Sequence, residues 1–480
     1  MDKVASEVKE DNRPSPSDFE VYLPWACKQL QLESTVQVQK IYQNEYVSVA
    51  VSERSKKGKS RGKINQSRVD VKDDTEKEDR STSVTQMRPV FETTTAKVIK
   101  VQAIYDTIEN LVQLKFLKNT QLPRVMIKII GLIIKFQNFL NTITINGGLD
   151  MYTIYEICKF LPTSHITEIC LDGCYLKEPN YYLLLEQTNL LKYLSLCRCK
   201  IDDITVESLC SRLVYPLPAS KTLSILNLSS NRITDEGAKF LANALCSNRQ
   251  LSYLNLASNI ITDKGASEIL STLMEFPLST DEVLAAKTRL MTFLKTKNEM
   301  IATTIRELRM GEADKRAMRR KPSRPAPVAV KKLKTDISQK SIVDTYMKSI
   351  ADMDSAILEK AVMIVDNALG NFVDPYSNTN SNIRAGVTYC KGNNVLCCLN
   401  LSYNYLSYLS LRKLQAVLLY QKLANRKPRG LLSVSVEGNN MPVTCKELSL
   451  IDDILEINLM SQTRKLSGNK KRPPPRSLQR

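Results

Sequence analysis

The chain contains few of the residues and motifs on which enzymes commonly depend. Its single histidine, His165, lies in a predicted loop, where a lone histidine is more often structural or solvated than a general base. There is no GxxxxGK[ST] phosphate-binding loop, no GxGxxG dinucleotide motif and no GxSxG nucleophile motif. No pair of carboxylates stands out as an acid and a base. We therefore expect no enzymatic activity, no cofactor and no small-molecule substrate.

Long apolar runs are also absent. The longest candidate, Val125–Phe136, contains Lys128 and Lys135, so no membrane span is predicted. The first residues, MDKVASEVKEDNR, lack the hydrophobic segment of a secretory signal. The twelve cysteines are scattered, which suits a reducing compartment better than a disulfide framework. These features predict an intracellular protein, located in the cytoplasm or alternatively in the nucleus.

One 28-residue pattern occurs twice between Leu223 and Leu273. The first copy reads LSILNLSSNRITDEGAKFLANALCSNRQ and the second begins LSYLNLASNIITDKGASEILSTL. In Leu226-Asn227-Leu228 a polar residue separates two apolar ones, which predicts a short strand that buries both leucines. Asn231 follows where the chain leaves the strand, and its amide can satisfy backbone groups that no neighbouring strand reaches. Thr234 or Asp235 can cap the next helix, whose inner face is predicted to hold Ala238, Leu241, Ala242 and Leu245.

Other segments fit the same pattern less closely. They are Leu140–Gly148, Ile166–Cys174, Leu191–Cys199, 396–404 and 431–439. The pattern resembles the leucine-rich repeat, and its period and helix resemble the ribonuclease-inhibitor-like subclass of that family. The resemblance implies an α/β fold, a short horseshoe-shaped solenoid of about seven repeats in which each unit buries the apolar face of its neighbour.

Composition and periodicity predict the remaining organisation. Residues 1–88 are expected to be mostly disordered and charged, with a short element around Trp25 that docks on another surface or caps the repeats. A helical N-terminal cap is predicted at 89–140, formed by helices or by a helix and a strand. The other predicted regions are repeats at 141–275, a helical, basic, coiled-coil-like insertion at 276–394, further repeats and a cap at 395–461, and a disordered basic tail at 462–480.

The insertion carries two heptad-like apolar series, separated by a basic, proline-rich stretch. The first consists of Leu284, Met291, Leu294, Ile301, Ile305 and Leu308, with Lys287 and Asn298 at two seam positions. The second consists of Val343, Tyr346, Ile350, Met353 and Ile357. Two such helices can pair with each other as a hairpin, or each can offer its seam to a partner protein.

Four cysteines superficially offer a zinc site: Cys170, Cys174, Cys197 and Cys199. Aligning the repeats places Cys174 and Cys199 in the inward position that asparagine occupies in the clear copies. Cys170 falls on the outward strand face and Cys197 just past the strand. Because the four thiols do not converge in this alignment, we expect buried structural cysteines and no metal.

The same alignment predicts which side chains lie on the concave face of the sheet. Candidate protein-binding residues there are Tyr193, Ile225, Asn227, Tyr253 and Asn255, with the tyrosines as anchors. The alternative is a polar sheet face without a binding role. The net charge of +18 lies mainly outside this face, in the tail and in a basic run. Arg319, Arg320 and Lys321 of that run are further candidate protein-binding residues. Such segments attract acidic polymers without specificity, including the acidic tails of tubulin, nucleic acid or anionic lipid.

The function follows from the family resemblance more than from any motif. The units LKYLSLCRCKI and LNLSYNYLSYLSL, together with the lysine-rich interruption, resemble family members associated with cilia and flagella. That resemblance implies a non-enzymatic scaffold for protein–protein interaction in a cytoskeletal assembly such as the ciliary or flagellar axoneme, with tubulin or other axonemal proteins as partners. The alternative is a nuclear or RNA-associated adaptor that uses the basic runs MRRKP and NKKRPPPR.

Overall fold

The chain divides into two compact units, described from a computed structural model. The first unit runs to Met274 and resumes at Gly392, and the second spans Glu275–Lys391. The structure describes residues 13–43, 98–119, 121–319, 355–442 and 444–467. None of the helices in these ranges is both long enough and apolar enough to span a bilayer.

Helices and strands alternate along most of the described chain, and the elements of both units are numbered together in chain order. The helices are α1 (Phe19–Gln29), α2 (Arg124–Ile133), α3 (Met151–Phe160), α4 (Asp203–Leu213), α5 (Ala219–Thr222), α6 (Asp235–Ser247), α7 (Asp263–Ser271), α8 (Thr280–Arg319), α9 (355–369), α10 (Tyr408–Ala424) and α11 (Lys446–Ser467). The strands are β1 (Thr35–Tyr42), β2 (Val98–Tyr105), β3 (Leu111–Phe116), β4 (Thr142–Ile145), β5 (Glu168–Cys170), β6 (Tyr193–Ser195), β7 (Ile225–Asn227), β8 (Tyr253–Asn255), β9 (Phe276–Pro277), β10 (Ser381–Arg384), β11 (Val387–Cys390), β12 (Cys398–Asn400) and β13 (Ser433–Ser435).

The first unit is built on one ten-stranded sheet, in the order β1-β2-β3-β4-β5-β6-β7-β8-β12-β13. From β3 to β13 every pair of neighbours is parallel. The strand β8 pairs directly with β12, although the whole second unit lies between them in the sequence. The chain therefore resumes the parallel sheet in register after the insertion.

The repeated leucines and asparagines behave as their spacing predicts. Leu226 and Leu228 are completely buried. The side-chain oxygen of Asn231 accepts from the N–H groups of Cys199 and Ile201 at 3.0 and 3.1 Å, and its amide nitrogen donates to the Leu228 carbonyl at 2.9 Å. Asn259, Asn404 and Asn439 make equivalent bonds one strand further each time. The predicted role of Asn231 is confirmed, because its amide joins adjacent loops where strand pairing has ended.

A second series of polar contacts joins the N-termini of successive helices. Thr234 caps α6 by accepting from the N–H of Glu236. Asp235 instead reaches the next helix, where it accepts from the backbone and hydroxyl of Thr262 at 2.8 and 2.6 Å and from Gly265 N–H at 3.0 Å. Asp203 and Asp263 make the same type of contact with the following helix. These carboxylates offset the positive ends of two helix dipoles each.

The chain leaves and re-enters the first unit at two residues that touch. Gly392 has a φ of +82°, and a Cβ atom there would collide with the Met274 carbonyl oxygen. The next residue, Asn393, is fully buried and donates to the carbonyls of Leu245 and Asn248 at 3.0 Å each. Asn248 makes the corresponding bond to the preceding repeat, through Leu213. The re-entry point thus has the local structure of an ordinary junction between repeats.

The N-terminal cap is mainly a sheet extension rather than a helical layer. The prediction of a helical cap at 89–140 is wrong for Val98–Tyr105 and Leu111–Phe116, which form an antiparallel hairpin. It is correct for Arg124–Ile133, which form the helix α2. The turn is held by Asp106, whose carboxylate accepts from the N–H groups of Ile108 and Asn110 at 2.8 Å each. The Trp25 element forms α1 and β1, and β1 extends the sheet beyond β2. Residues 1–12 and 44–97 lie outside the described ranges.

The second unit contains two antiparallel helices and a small sheet. Lys297 pairs with Asp366 at 2.5 Å, and Arg289 pairs with Asp374 at 2.6 Å. Because one series of numbers rises as the other falls, α9 and the chain after it run back along α8. The strands are ordered β10-β11-β9 and are antiparallel. Of the two predicted arrangements, the described residues therefore form the internal hairpin.

The predicted coiled-coil seam of α8 is wrong over its first half. Leu284, Met291 and Leu294 are 64%, 64% and 42% exposed. The ring of Phe293 instead packs 5.2 Å from that of Phe372, and Val283 and Ala286 pack on the core of the small sheet. Loops and strands, rather than one partner helix, cover this end of α8, so a regular heptad does not govern which face is buried. Most of the second predicted series, from Val343 to Met353, lies outside the described residues.

Candidate protein-binding face

Three strands of the parallel sheet bring the predicted face residues together. Tyr193 pairs in register with Ile225, and Ile225 with Tyr253. All three side chains are half-buried. Two residues further along the same strands, Asn227 pairs with Asn255. We call this surface the open strand face, with a first row at Tyr193–Ile225–Tyr253 and a second row at Ser195–Asn227–Asn255. The five predicted repeat residues are therefore adjacent, since in-register neighbours lie about 5 Å apart.

At one end of the second row the polar groups already bond one another. Ser195 donates to a carboxylate oxygen of Asp172 at 2.6 Å, and the amide of Asn227 donates to the Ser195 hydroxyl at 2.9 Å. The same oxygen of Asp172 accepts from Cys197 N–H at 3.0 Å. This chain of bonds holds Asn227 in one orientation, because both its donor and its acceptor groups are engaged.

Toward β12, the second row contains two side-chain amides whose N–H groups can donate hydrogen bonds to a ligand. The side-chain oxygens of Asn255 and Asn400 accept from backbone N–H groups two residues later, at 3.1 and 3.0 Å. These bonds fix the amide planes. Within the described residues neither amide nitrogen has a protein hydrogen-bond partner. Two oriented donors on adjacent strands suit the carbonyl groups of a peptide or protein.

The face has little charge. Extended over the seven strands β4 to β8, β12 and β13, the first row is Thr142, Glu168, Tyr193, Ile225, Tyr253, Cys398 and Ser433, and the second is Thr144, Cys170, Ser195, Asn227, Asn255, Asn400 and Ser435. Glu168 is the one charged residue among them. Burial is the main cause that raises the pKa of Tyr193, so its hydroxyl is neutral at physiological pH. These two rows contain no lysine or arginine, and Lys115 of β3, in register beside Thr144, is a single cation at their edge. They therefore lack the series of cationic contacts that binds a phosphate backbone.

The cysteines near this face are built into the repeat core. Cys174 and Cys199 are almost completely buried, and each thiol donates to a carbonyl of the preceding repeat at 3.2 Å, in Ile145 and Leu171. Both therefore occupy the asparagine position, as the alignment predicts. Burial raises the pKa of each thiol to about 12, which disfavours the thiolate that binds metal. Among the described residues no group of three or more histidine, cysteine or acidic side chains is placed to hold a metal ion.

The basic candidates lie beyond the described side chains. Arg319 ends α8, and its side chain is outside the described set. Arg320 and Lys321 lie outside the described residues. His165 is exposed to solvent. It lies in a loop before β5 and outside the two rows of the open strand face.

A second group of exposed apolar side chains, which was not predicted, lies in the loops after β8 and β12. Ile260, Tyr403 and Tyr405 are 45%, 62% and 59% exposed. Tyr403 has a φ of +55°, and its ring lies across Gly438, where a Cβ would come within 2.5 Å of the ring atom Cε1. The repeat pattern could have indicated them, because these residues flank Asn259 and Asn404, which occupy the asparagine position of two repeats.

Comparison with known proteins identifies the repeated unit. Residues 219–242 and 247–270 match the family model described as Leucine Rich repeat. A search of curated proteins found no match to the chain. The matched segments include Ile225, Asn227, Tyr253 and Asn255, which places the centre of the open strand face within them. These two segments are thus similar to leucine-rich repeats, a unit that commonly mediates protein–protein interaction.

Proposed function

We propose that the protein is a non-enzymatic scaffold that binds a protein partner on the open strand face. The observation that carries this proposal is the in-register row of Tyr193, Ile225 and Tyr253. Half-buried aromatic side chains at the centre of an interface contribute much of its affinity, because they add contact area while losing little conformational freedom. The adjacent amide donors of Asn255 and Asn400 fix the orientation of the bound partner by hydrogen bonds to its carbonyl groups.

The proposal includes the form of the repeat array. Seven of the parallel strands, β4 to β8 with β12 and β13, belong to repeat units of one curved solenoid, and the open strand face is its concave side. Such a surface accepts an elongated partner across several repeats. The loop residues Ile260, Tyr403 and Tyr405 extend the apolar surface beside β8 and β12.

The proposed setting is a cytoskeletal assembly such as the ciliary or flagellar axoneme. It rests on a proposed resemblance to leucine-rich repeat-containing protein 71, inferred from the units LKYLSLCRCKI, LSILNLSSNRITDEGAKFLANAL and LNLSYNYLSYLSL. The proposed partners are tubulin or other axonemal proteins, with the basic segments adding non-specific attraction to acidic polymers. The alternative of a nuclear or RNA-associated adaptor rests on the basic runs alone.

A localisation and crosslinking experiment tests the scaffold. Tagged full-length protein is expressed in ciliated cells, crosslinked in place and identified by mass spectrometry with its neighbours. We expect axonemal signal and crosslinks to axonemal proteins. A double variant, Tyr193→Ala with Tyr253→Ala, should lose the crosslinked partner, whereas Tyr175→Ala should retain it. Tyr175 is a matched control because it is 52% exposed and lies off the strand face.

The alternative function predicts a different result. Diffuse cytosolic protein without axonemal crosslinks would contradict the cytoskeletal setting. RNA crosslinks that survive high salt would favour the adaptor, since non-specific contacts between cationic side chains and phosphate weaken steeply with salt. Retention of every partner by the double tyrosine variant would remove the open strand face as the binding surface.

A further inference from the structure

The small sheet of the second unit ends in an unpaired edge. The strands β10 and β11 form a hairpin closed by Ala385 and Gly386, with φ angles of +48° and +78°. In a two-residue hairpin the residues next to the turn, here Arg384 and Val387, exchange hydrogen bonds. The N–H and C=O groups of Ile383 therefore point away from β11. In the described part of the chain no strand pairs with that side of β10.

An apolar groove runs beside this edge. It has a volume of about 660 Å³ and is lined by Leu278, Val283, Ala286, Leu290, Phe372 and Ile383, among others. Ile383 is 75% exposed and Leu290 is 38% exposed. Ile383 lies opposite Thr388 and two residues from Ser381, whose partner Cys390 is completely buried. The Ile383 side chain is thus on the core-facing side of the hairpin, at the point where the core stops and the groove begins.

The charges around the groove favour an acidic occupant. The Asp374 carboxylate is almost completely buried and accepts from the Arg289 guanidinium at 2.6 and 3.2 Å. Glu282 accepts from the Tyr376 hydroxyl at 3.1 Å and from Ser279 N–H at 2.8 Å. Both carboxylates are therefore engaged. Lys287 lines the groove, and within the described residues it has no ion-pair partner.

We propose that the groove is a docking site for an extended, acidic segment of a partner protein that adds a strand to β10. The four residues of β10 span about 13 Å, which matches a partner strand of about four residues. Main-chain bonds to Ile383 hold the strand, an apolar side chain of the partner enters the groove beside Leu290, and a neighbouring carboxylate pairs with Lys287. Addition of a strand at an exposed sheet edge is an established mode of peptide recognition. This site is independent of the open strand face.

Labelled synthetic peptides and full-length protein test the proposal by fluorescence anisotropy. The probe is a peptide of about eight residues in which valine alternates with glutamate. Two matched peptides carry either N-methyl groups on alternate backbone nitrogens or lysine in place of glutamate. We expect saturable binding of the first peptide and about tenfold weaker binding of each of the others. N-methylation removes the strand bonds while it leaves the side chains, and lysine repels Lys287.

Variants locate the site. Ile383→Pro removes an N–H that the hairpin itself does not use, which an edge strand tolerates, so binding should weaken about tenfold while the circular dichroism spectrum is unchanged. Lys287→Glu should reverse the preference between the acidic and basic peptides. Lys295→Glu is its control, since Lys295 is exposed on the same helix and lies outside the groove. The Tyr193→Ala, Tyr253→Ala double variant should bind the probe as wild type does. The groove and the open strand face are therefore tested independently.

Three results would overturn the docking site. The first is absence of saturable binding of the valine–glutamate peptide up to about 1 mM. The second is equal binding of the N-methylated peptide, which would show contact through side chains alone. The third is protein self-association that Ile383→Pro abolishes while the peptide does not bind, which would assign the edge to a second copy of the chain.

Discussion

The carboxylate of Asp263 accepts hydrogen bonds from the hydroxyl and backbone N–H of Ser407, at 2.6 and 2.9 Å, although Ser407 lies 144 residues later in the chain. The same carboxylate accepts from the hydroxyl and, at 3.1 Å, the backbone N–H of Ser410. These bonds join α7 to the first turn of α10. The two parts of the interrupted repeat array are therefore connected by the contact that Asp203 and Asp235 make between consecutive repeats.

Replacing Asp263 should destabilise this junction. In Asp263→Asn the amide NH₂ group faces the donors of Ser407 and Ser410, so we expect a loss of about 2–4 kcal/mol in the free energy of unfolding. Urea unfolding followed by tryptophan fluorescence measures it, because Trp25, the single tryptophan of the chain, lies in the first unit. Glu268→Gln, at an exposed position of the same helix, is the control. Equal stability of the two variants would contradict the role of Asp263.

The same junction should be sensitive to acid. Burial raises the pKa of Asp263, but the bonds from Ser407 and Ser410 lower it, and the net pKa is below the ordinary value. A carboxyl with a depressed folded-state pKa stabilises the fold above its unfolded-state pKa, and that contribution is lost as the pH falls toward the folded-state value. The stability difference between wild type and Asp263→Asn should therefore shrink below about pH 4. A difference that stays constant from neutral pH to about pH 2.5 would contradict this linkage.

The glycine at the start of α7 should resist substitution. In Gly265→Ala the new Cβ would lie 2.5 Å from the Asp235 carboxylate oxygen and 2.9 Å from the Ala238 Cβ. We expect a net loss of about 1–3 kcal/mol, because overpacking outweighs the better helix propensity of alanine. Gly311→Ala in α8 is the opposite case, since nothing lies within 4 Å of its Cβ position, and should stabilise that helix by about 0.5–1 kcal/mol. Thermal unfolding by circular dichroism compares them. An unchanged melting temperature for Gly265→Ala would contradict this expectation and would show that α6 and α7 can move apart to accommodate the methyl group.

Adjacent residues of α8 distinguish the observed packing from the predicted heptad. Phe293→Ala removes the contact with the Phe372 ring and should cost about 1–3 kcal/mol, less than for a fully buried phenylalanine. Leu294→Ala removes a side chain that is 42% exposed and should cost less than about 1 kcal/mol. Hydrogen exchange of α8 and α9 peptides gives the readout, and only Phe293→Ala should accelerate it. Faster hydrogen exchange in Leu294→Ala than in Phe293→Ala would contradict the observed packing and support the predicted heptad seam.

The strands of the array were predictable because each repeat carries its own signals. The pair Leu226 and Leu228 defines a strand by alternation, and Asn231 marks its end. Even Cys174 and Cys199 could be placed, because a thiol can donate to a carbonyl from the position of an asparagine amide. The open strand face followed from the same register, since side chains that alternate with buried leucines must lie on the opposite side of the sheet.

The N-terminal cap was mispredicted although its signals were local. Ile99, Val101 and Ala103 are buried in strict alternation, but apolar residues on both sides of the turn also fit a helical spacing. Ile108, which fits a helical spacing with Ile104 and Leu111, is 78% exposed in the turn. The turn residues Asp106 and Asn110, which bond each other, were the evidence against a helix.

The sequence by itself determined the repeat unit: its strand, its asparagine position, its helix and the residues that share the open strand face. All of these depend on spacing within about 30 residues, where backbone geometry leaves few alternatives. Only the tertiary structure decided that β12 pairs with β8 across the insertion, that Asp263 reaches Ser407, and that Phe293 rather than Leu294 is covered. Those outcomes depend on which distant surfaces meet, and the free energy of burial is the same whichever surface provides the cover.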